Sequence, residues 1–389
     1  MRGTGHQRIA IQVASLANLA SGGARPPGGS ERNAGPFSLD RVGWVWENVG
    51  AMKNPIASLK GRSLLTPYDL SDREFLGLLE LASKLKRKKK RGGVGSLLRG
   101  KNLALVFEKL STRTRCAASV AAADEGGRAE YLAAREIHLG KKESTADTAR
   151  VLGRMFDGIL FRGYKQETVE LLAQYSGVPV WNGLTDTEHP TQALADVFTV
   201  QEAFGKTKGL KLVYVGDGRN NVASSLMVGC AMAGIDFVNC TPPELAPASK
   251  SLERAAVLAK KNKCSLLVEH DPAKAVRGAN VVYTDVWVSM GEEDQQEERV
   301  RLLRPYQVNM ALMERTGNLH DDKVIFLHCL PAFHNRDTET SAETGAMEVT
   351  DGVFEAPFSK VFDLAENRMH IMKAIFIASL TGGRSGRRA

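Results

Sequence analysis

Short, uninterrupted apolar segments alternate with stretches of helical periodicity along most of the chain, and this alternation limits the fold more than any other feature. Continuous apolar segments are typical of strands that are buried on both faces. Seven such segments lie at 102–107, 157–161, 178–181, 211–215, 235–240, 281–283 and 324–328. Helical patterns between them include 144–156, 191–204, 222–233 and 253–262. The alternation predicts an α/β protein with doubly wound parallel sheets.

The length of the chain, 389 residues, suits two domains of ordinary size. The pattern at 192–204 ends near Gly205 and Gly209 and is long enough to connect two sheets. A last helical pattern at 363–381 stops at Gly382-Gly383, as helices commonly do. No apolar stretch approaches the roughly 18 residues of a membrane-spanning helix, so the sequence predicts no membrane protein.

Residues 1–51 differ in composition from the rest of the chain. They include a Gly/Pro/Ser-rich segment at 21–30 and no acidic residue before Glu31. An acid-poor N-terminus that carries arginines is compatible with an organelle transit peptide. Because Ser and Arg are sparse here, we favour a disordered tail or an upstream extension over a transit peptide.

The net charge of +8 comes almost entirely from seven basic residues between Lys84 and Arg91. They follow a helical pattern opened by a Ser71/Glu74 capping box. Cations at a helix C-terminus complement the helix dipole, so we favour a solvated helix end over a polyanion site. No aromatic residues interleave with the run to stack on bases, and nucleic acid is therefore not an expected partner.

The five cysteines are odd in number, widely spaced and free of any C-x-x-C pair. This pattern predicts reduced thiols in an intracellular protein rather than a disulfide framework or a structural zinc site.

A Ser/Thr-rich segment follows the predicted strand that ends at Phe107. It reads Ser111-Thr112-Arg113-Thr114-Arg115 and opens an Ala-rich helix. Free backbone N–H groups, hydroxyls and planar guanidinium donors suit an anion such as phosphate. An ordinary N-cap with two surface arginines explains the segment equally well.

A second helix begins at His189-Pro190-Thr191-Gln192, where a neutral imidazole and an amide could donate to a carbonyl oxygen that gains charge. A simple helix cap is the alternative for His189. The later segment 215–221 follows a strand, but it lacks the third glycine and the ribose-binding acid of a dinucleotide site. What remains is a turn that brings Asn220 and Asn221 to the carboxyl edge of a sheet.

Two further strands end at Asp285 and at His328-Cys329, which predicts that these side chains reach the same edge. Asp285 could bind an ammonium group. Cys329 could be a catalytic thiolate, although a buried free thiol is the usual state. A zinc site of His328, Cys329 and His334 matches no usual ligand spacing.

Taken together, the segments FEKLSTRTR, HPTQ, GDGRNN, TDVWVSMG and HCLPAFH, in this order, resemble the aspartate/ornithine carbamoyltransferase family. The last two are similar to the members that act on ornithine. The resemblance covers about 52–381. It implies a carbamoyl phosphate-binding domain at 52–195, onto which the helix at 363–381 packs back, and an ornithine-binding domain at 196–362, with the active site in the cleft between them.

The resemblance also implies the residues of that site. Carbamoyl phosphate would contact the following residues, of which His138 would reach into a neighbouring subunit: Ser111, Thr112, Arg113, Thr114, His138, Arg162, His189, Gln192 and Arg368. Ornithine would contact Asn221, Asp285, Ser289, Met290, Cys329 and the Leu330 carbonyl. The catalytic set would be Arg113, Arg162, His189, Asp285 and Cys329.

The implied activity is transfer of the carbamoyl group from carbamoyl phosphate to the δ-amine of L-ornithine, which gives L-citrulline and phosphate. No metal or organic cofactor is expected, and the implied assembly is a homotrimer with shared sites. Putrescine or acetylornithine as acceptor, or a non-catalytic anion-binding relative, are the alternatives. The expected compartment is the cytoplasm, or the mitochondrial matrix if residues 1–51 are a transit peptide. The direction of the reaction is left open.

Overall fold

Two parallel sheets organise the protein. The computed structural model describes residues 54–288 and 296–383, and within these it contains nine strands. They are β1 (Asn102–Phe107), β2 (Arg128–Ala133), β3 (Gly158–Arg162), β4 (Val180–Leu184), β5 (Lys211–Val215), β6 (Asp236–Cys240), β7 (Leu266–Glu269), β8 (Val281–Thr284) and β9 (Ile325–His328). The first sheet has the order β2-β1-β3-β4 and the second the order β7-β6-β5-β8-β9. All strand pairs are parallel, which confirms the predicted fold class.

Helices connect and cover the strands. They are α1 (Asp72–Lys90), α2 (Thr112–Ala123), α3 (Thr145–Met155), α4 (Gln166–Ser176), α5 (Pro190–Phe204), α6 (Asn221–Ala233), α7 (Ser249–Asn262), α8 (Pro272–Ala275), α9 (Gln296–Leu303), α10 (Met310–Glu314), α11 (Asp351–Phe354) and α12 (Val361–Thr381). α5 runs from the first sheet to the second and is buried along most of its length. Each sheet contributes to the apolar core with its inner strands, whose residues are almost all inaccessible to solvent.

All seven predicted strands are present within three residues of their expected bounds, but two strands were missed. β2 and β7 each lie at one edge of their sheet, and each is partly exposed. The strands at the opposite edges, β4 and β9, are almost fully buried and were recognised. A partly exposed strand has no need of the continuous apolar segment by which the buried strands were recognised.

The last helix returns to the first sheet. α12 packs against α1, α2 and α5, and it contacts β4 through Trp181. The indole Nε1 of Trp181 donates to Ser379 Oγ at 3.1 Å, and its ring lies 4.5 Å from that of Phe376. A helix near the end of the chain thereby becomes part of the wall of the site described below.

The capping box at the start of α1 forms as predicted. Ser71 Oγ accepts from the Glu74 backbone N–H, and Glu74 Oε2 accepts from the Ser71 N–H at 2.8 Å. The expectation that the basic run is solvated is wrong at Lys86, which is only 4% exposed. Its ammonium group contacts Glu202 Oε2 and Asn367 Oδ1, each at 2.7 Å, because the helix face that carries it turns toward α5 and α12.

The five cysteines are free thiols, as predicted. Among the described residues, no helix is both long and apolar enough to cross a membrane. Residues 1–51 lie outside the described part of the chain, so the predictions made for that segment have no structural counterpart.

Candidate active site

A cavity of about 510 Å³ opens where the carboxyl ends of the two sheets face each other. Ligands of doubly wound proteins bind at this edge because the loops that follow the strands converge there. The predicted site residues that line the cavity are Ser111, Arg113, Arg162, His189, Gln192, Asn221, Asp285, Cys329, Leu330 and Arg368. Segments more than 250 residues apart in the chain therefore meet in one concave site.

Ser111 and Thr114 organise the first wall of the cavity. Ser111 is the N-cap of α2, and its Oγ accepts from the Thr114 backbone N–H at 3.2 Å. Thr114 Oγ1 in turn accepts from Arg162 Nη1 at 3.1 Å and from Arg368 Nη2 at 2.8 Å. Thr114 thus holds two guanidinium groups rather than lining the cavity itself, and Thr112 is exposed at the start of α2.

Three arginines make this wall strongly positive. Burial, followed by repulsion from Arg368 and Arg113, lowers the pKa of Arg162 to about 9. Burial and the charge of Arg113 lower the pKa of Arg368 to about 10. Within 54–288 and 296–383, none of the three pairs with a carboxylate, and the Nε of each is buried without a hydrogen-bond partner. Buried guanidinium groups that lack a protein counter-charge suit an anionic ligand.

His189 lies at the start of α5, and its side chain is buried beside the arginines. Burial, with the charges of Arg368 and Arg162, lowers the pKa of His189 well below its ordinary value. The imidazole is therefore neutral at physiological pH and can donate one hydrogen bond to a carbonyl oxygen. The backbone N–H of His189 donates to Ser225 Oγ at 2.8 Å, which ties the start of α5 to α6.

Asp285 and Cys329 lie on the opposite wall, at the ends of β8 and β9. Cys329 Sγ donates to Asp285 Oδ1 at 3.0 Å, and the same carboxylate oxygen accepts from the Val286 N–H at 2.8 Å. Burial and the adjacent carboxylate raise the pKa of the Cys329 thiol well above its ordinary value. Of the two possibilities for Cys329, the structure favours the buried thiol over the thiolate, because a negative sulfur in this buried position beside Asp285 is strongly disfavoured.

Two of the expected ornithine contacts, Ser289 and Met290, lie outside the described residues. Asn221 lines the cavity, and its Nδ2 donates to the Thr185 carbonyl at 2.6 Å. His138 is exposed in the segment between β2 and α3 and does not line the cavity of its own chain. This position is compatible with the expectation that His138 serves a neighbouring subunit.

The structure does not assemble the hypothesised zinc set of His328, Cys329 and His334. His334 Nδ1 lies 2.6 Å from Asp351 Oδ1 instead. Asp285, His328 and Cys329 do place donor atoms within 4.8 Å of one another. However, His328 Nδ1 accepts from the Leu330 N–H at 2.9 Å, and its Nε2 lies 3.2 Å from Glu348. Both imidazole nitrogens are thus already used, so these residues do not fit a metal ion.

Several charged residues of the cavity were not identified from the sequence. Lys109 pairs with Asp186 at 2.7 Å, and Arg299 of α9 pairs with Asp217. Lys109 and Asp217 belong to segments that the sequence singled out, FEKLSTRTR and GDGRNN, and could have been found there. Arg299 stands in no recognisable motif. Asp196 was also missed, because it lies inside the helical pattern that follows HPTQ.

Comparison with known proteins agrees with this architecture. The carbamoyl-P binding domain of aspartate/ornithine carbamoyltransferase matches residues 62–202, and the Asp/Orn binding domain matches residues 208–379. The chain belongs to the aspartate/ornithine carbamoyltransferase family. It is 57% identical over 329 residues to a catabolic ornithine carbamoyltransferase of Bacillus cereus, covering 83% of this chain and 97% of the relative. It is 55% identical to a catabolic ornithine carbamoyltransferase of Streptococcus ratti, covering 82% of this chain and 96% of that relative.

Solved structures of the family share the fold. The ornithine carbamoyltransferase from Pyrococcus furiosus is 46% identical and superimposes with a TM-score of 0.77, covering 84% of this chain and 99% of that one. The predicted family membership and fold are therefore confirmed, and the similarity spans both sheets.

Proposed function

We propose that this chain transfers the carbamoyl group of carbamoyl phosphate to the δ-amine of L-ornithine, forming L-citrulline and phosphate. The observation that carries the proposal is the composition of the cavity. Three arginines that pair with no carboxylate of the described residues face a wall that carries Asp285 and Cys329. One wall suits a dianionic phosphate and the other a cationic amine. The names of the relatives support ornithine as the acceptor.

The chemistry follows from where the charges lie. Ser111, Arg113 and the free N–H groups at the start of α2 hold the phosphate. The neutral His189 and the guanidinium of Arg162 donate to the carbamoyl oxygen as it becomes negative in the tetrahedral intermediate. Collapse of the intermediate breaks the bond between the carbamoyl carbon and the bridging oxygen. The δ-nitrogen gives its remaining extra proton to the departing phosphate, which leaves toward the same positive wall. These groups are fixed before the reaction, so little reorganisation is needed.

The acceptor side must present an uncharged δ-amine. L-Ornithine enters with protonated amines, and its δ-nitrogen attacks only after it has lost a proton. Asp285 supplies a negative charge for the α-ammonium group, and the Cys329 thiol, together with the Leu330 carbonyl, orients the δ-nitrogen. Because Cys329 is a thiol here, its role in this proposal is orientation rather than proton removal.

The division into domains follows the two sheets. A carbamoyl phosphate-binding domain at 52–195 would include the helix at 363–381, and the ornithine-binding domain would span 196–362. The contact of Trp181 with Ser379 and Phe376 supports placing the last helix with the first domain. We also propose a homotrimer in which His138 completes a neighbouring site, with the cytoplasm as the compartment.

The direct test is a citrulline assay with carbamoyl phosphate and a panel of acceptors. We expect ornithine to exceed putrescine, acetylornithine and aspartate in kcat/KM by at least about 100-fold, because a polar site rejects analogues that leave its groups unpaired. Phosphorolysis of citrulline should proceed in the same cavity, since the reaction is reversible. Arg113→Ala should abolish both directions. If another acceptor has the higher kcat/KM, that compound is the substrate in place of ornithine. The absence of turnover with all four acceptors would support a non-catalytic relative.

A further inference from the structure

A buried carboxyl group, Asp196, lies behind the cavity and contacts one of its lining residues. Gln192 and Asp196 stand four residues apart on α5, on the same face of the helix, and both are fully buried. Gln192 Nε2 donates to Asp196 Oδ1 at 2.8 Å. The same oxygen accepts from the hydroxyl of Tyr283, on β8, at 3.1 Å. One carboxylate oxygen thus joins the helix of the cavity to the strand that leads to Asp285.

This contact decides which end of the Gln192 amide remains for a ligand. Asp196 Oδ1 accepts two hydrogen bonds, so the Gln192 NH₂ group must face it. The amide oxygen Oε1 is then left over, and it is buried without a hydrogen-bond partner in the part of the chain that the structure describes. Because Gln192 lines the cavity, its uncommitted atom there is an acceptor.

The orientation does not depend on the ionisation of the carboxyl group. Burial raises the pKa of Asp196 to about 7, so both forms are populated at physiological pH. Asp196 Oδ2 has no described partner and can carry the proton, while Oδ1 continues to accept from Gln192 and Tyr283. The amide is held in the same orientation in either form.

We propose that Asp196 is a positioning residue that fixes the Gln192 amide, so that the donor site accepts a hydrogen bond from an NH₂ group and selects a carbamoyl group over an acetyl group of the same shape. The proposal rests on the proposed function, because it takes a carbamoyl compound as the donor. Without Asp196 the amide can rotate by 180° and direct its own NH₂ group at the ligand. Two donors would then face each other, and the preference would be lost.

Two stable analogues that differ only in this group test the proposal. Phosphonoacetamide carries the NH₂ group, and acetonylphosphonate carries a methyl group in its place. Calorimetric titration gives Kd for both with each variant. We expect the intact protein to prefer the amide by at least about tenfold, since a site built for an N–H group rejects an analogue that lacks it. Asp196→Ala should reduce that preference to within about threefold, with the affinity for acetonylphosphonate changed by less than about threefold.

Matched variants separate positioning from general damage. Asp196→Asn should retain the preference, because its amide oxygen can accept from both Gln192 and Tyr283. Tyr283→Phe should also retain it, since the bond between Gln192 and Asp196 remains. In a Gln192→Ala background, Asp196→Ala should cause no further loss of preference. If Asp196→Ala does not fold by circular dichroism, Asp196→Ser gives the same measurement, because its short side chain cannot reach Gln192.

An unchanged preference in Asp196→Ala would overturn the proposal, and so would an equal loss of affinity for both analogues. These outcomes leave citrulline formation by the intact protein untouched, so they reject the positioning role alone. If the intact protein binds neither analogue and forms no citrulline, the proposed function fails instead, and the positioning role fails with it.

Discussion

Cys329 acts as a hydrogen-bond donor in this protein, and its partner explains why. The thiol donates to Asp285 Oδ1 at 3.0 Å, and burial beside that carboxylate raises the pKa of Cys329 well above its ordinary value. A reactive cysteine needs the opposite environment, with positive groups and solvent access. The residue is therefore suited to orienting an amine and holding Asp285 rather than to nucleophilic chemistry.

Replacement of Cys329 separates turnover from donor binding. Cys329→Ala should lower kcat for citrulline formation by at least about tenfold, because the acceptor loses an orienting contact and Asp285 loses a donor. The Kd for phosphonoacetamide should change by less than about twofold, since its phosphonate is held on the opposite wall. Cys329→Ser, whose hydroxyl can still donate to Asp285, should have a kcat between those of the parent protein and Cys329→Ala. Unchanged turnover in the alanine variant would remove Cys329 from the mechanism.

Glu188, next to His189, makes stability depend on pH. Burial raises the pKa of Glu188 to about 7, against the opposing effects of a hydrogen bond from Ser225 and the charge of Arg254. The folded state therefore holds this proton more tightly than the unfolded state. Stability from this group is fully present below the ordinary pKa of 4.5 and is lost as the pH rises through about 7.

Glu188→Gln removes this dependence while it keeps an acceptor for Ser225. The stability of the variant relative to the parent protein should rise by about 1–3 kcal/mol between pH 5 and pH 8. Urea denaturation at the two pH values measures the difference, and other titrating groups cancel because they are common to both proteins. Exposed Glu80→Gln is the control, with little expected change. The same relative stability at both pH values would contradict the assignment.

At the scale of elements, Lys86 joins three helices. Its ammonium group on α1 contacts Glu202 of α5 and Asn367 of α12, each at 2.7 Å. Asn367 also donates to Glu202 at 2.7 Å. Because Asn367 precedes Arg368, this cluster helps to fix the position from which Arg368 reaches Thr114. Packing of helices on the outer face is thereby linked to the charge of the cavity.

Removal of Lys86 should loosen this junction. We expect Lys86→Ala to destabilise the protein by about 2–4 kcal/mol, because a buried cation is lost and Glu202 and Asn367 lose their partner. Lys90→Ala, at the exposed end of the same helix, should cost less than about 0.5 kcal/mol. Urea denaturation at neutral pH measures both. Equal, small effects would show that Lys86 behaves like the solvated lysines around it.

At the scale of the whole molecule, the exposed position of His138 makes the shared-site proposal testable by mixing. His138→Ala and Cys329→Ala should each have at most about a tenth of the parent activity alone. When the two are unfolded and refolded together, a trimer that contains both should regain activity, because one subunit supplies an intact Cys329 to the intact His138 of its neighbour. Citrulline formation by the mixture measures this, and light scattering should give three times 42.3 kDa. A monomer, or no regain of activity, would contradict shared sites.

The buried strands could be predicted from the sequence because burial on both faces leaves continuous apolar segments. β2 and β7 could not, since strands such as Leu266–Glu269 are partly exposed and short. The side chains that follow β5, β8 and β9, such as Asn221, Asp285 and Cys329, were placed correctly at one edge for a general reason. The carboxyl ends of parallel strands meet there whatever the rest of the chain does.

The sequence by itself determined many, though not all, of the chemical groups in the cavity, because motifs such as STRTR and HPTQ lie directly after strands or at helix starts. Lys109, Asp217 and Arg299 also line the cavity and were not identified in this way. Only the tertiary structure decided how these groups behave. Arg368 reaches Thr114 across 254 positions of the chain, burial beside Asp285 keeps Cys329 protonated, and Asp196 orients the Gln192 amide. Each of these outcomes depends on burial and on a partner from elsewhere in the fold or one helical turn away. Local pattern does not encode burial or partners, and the pKa and the direction of a hydrogen bond follow from both.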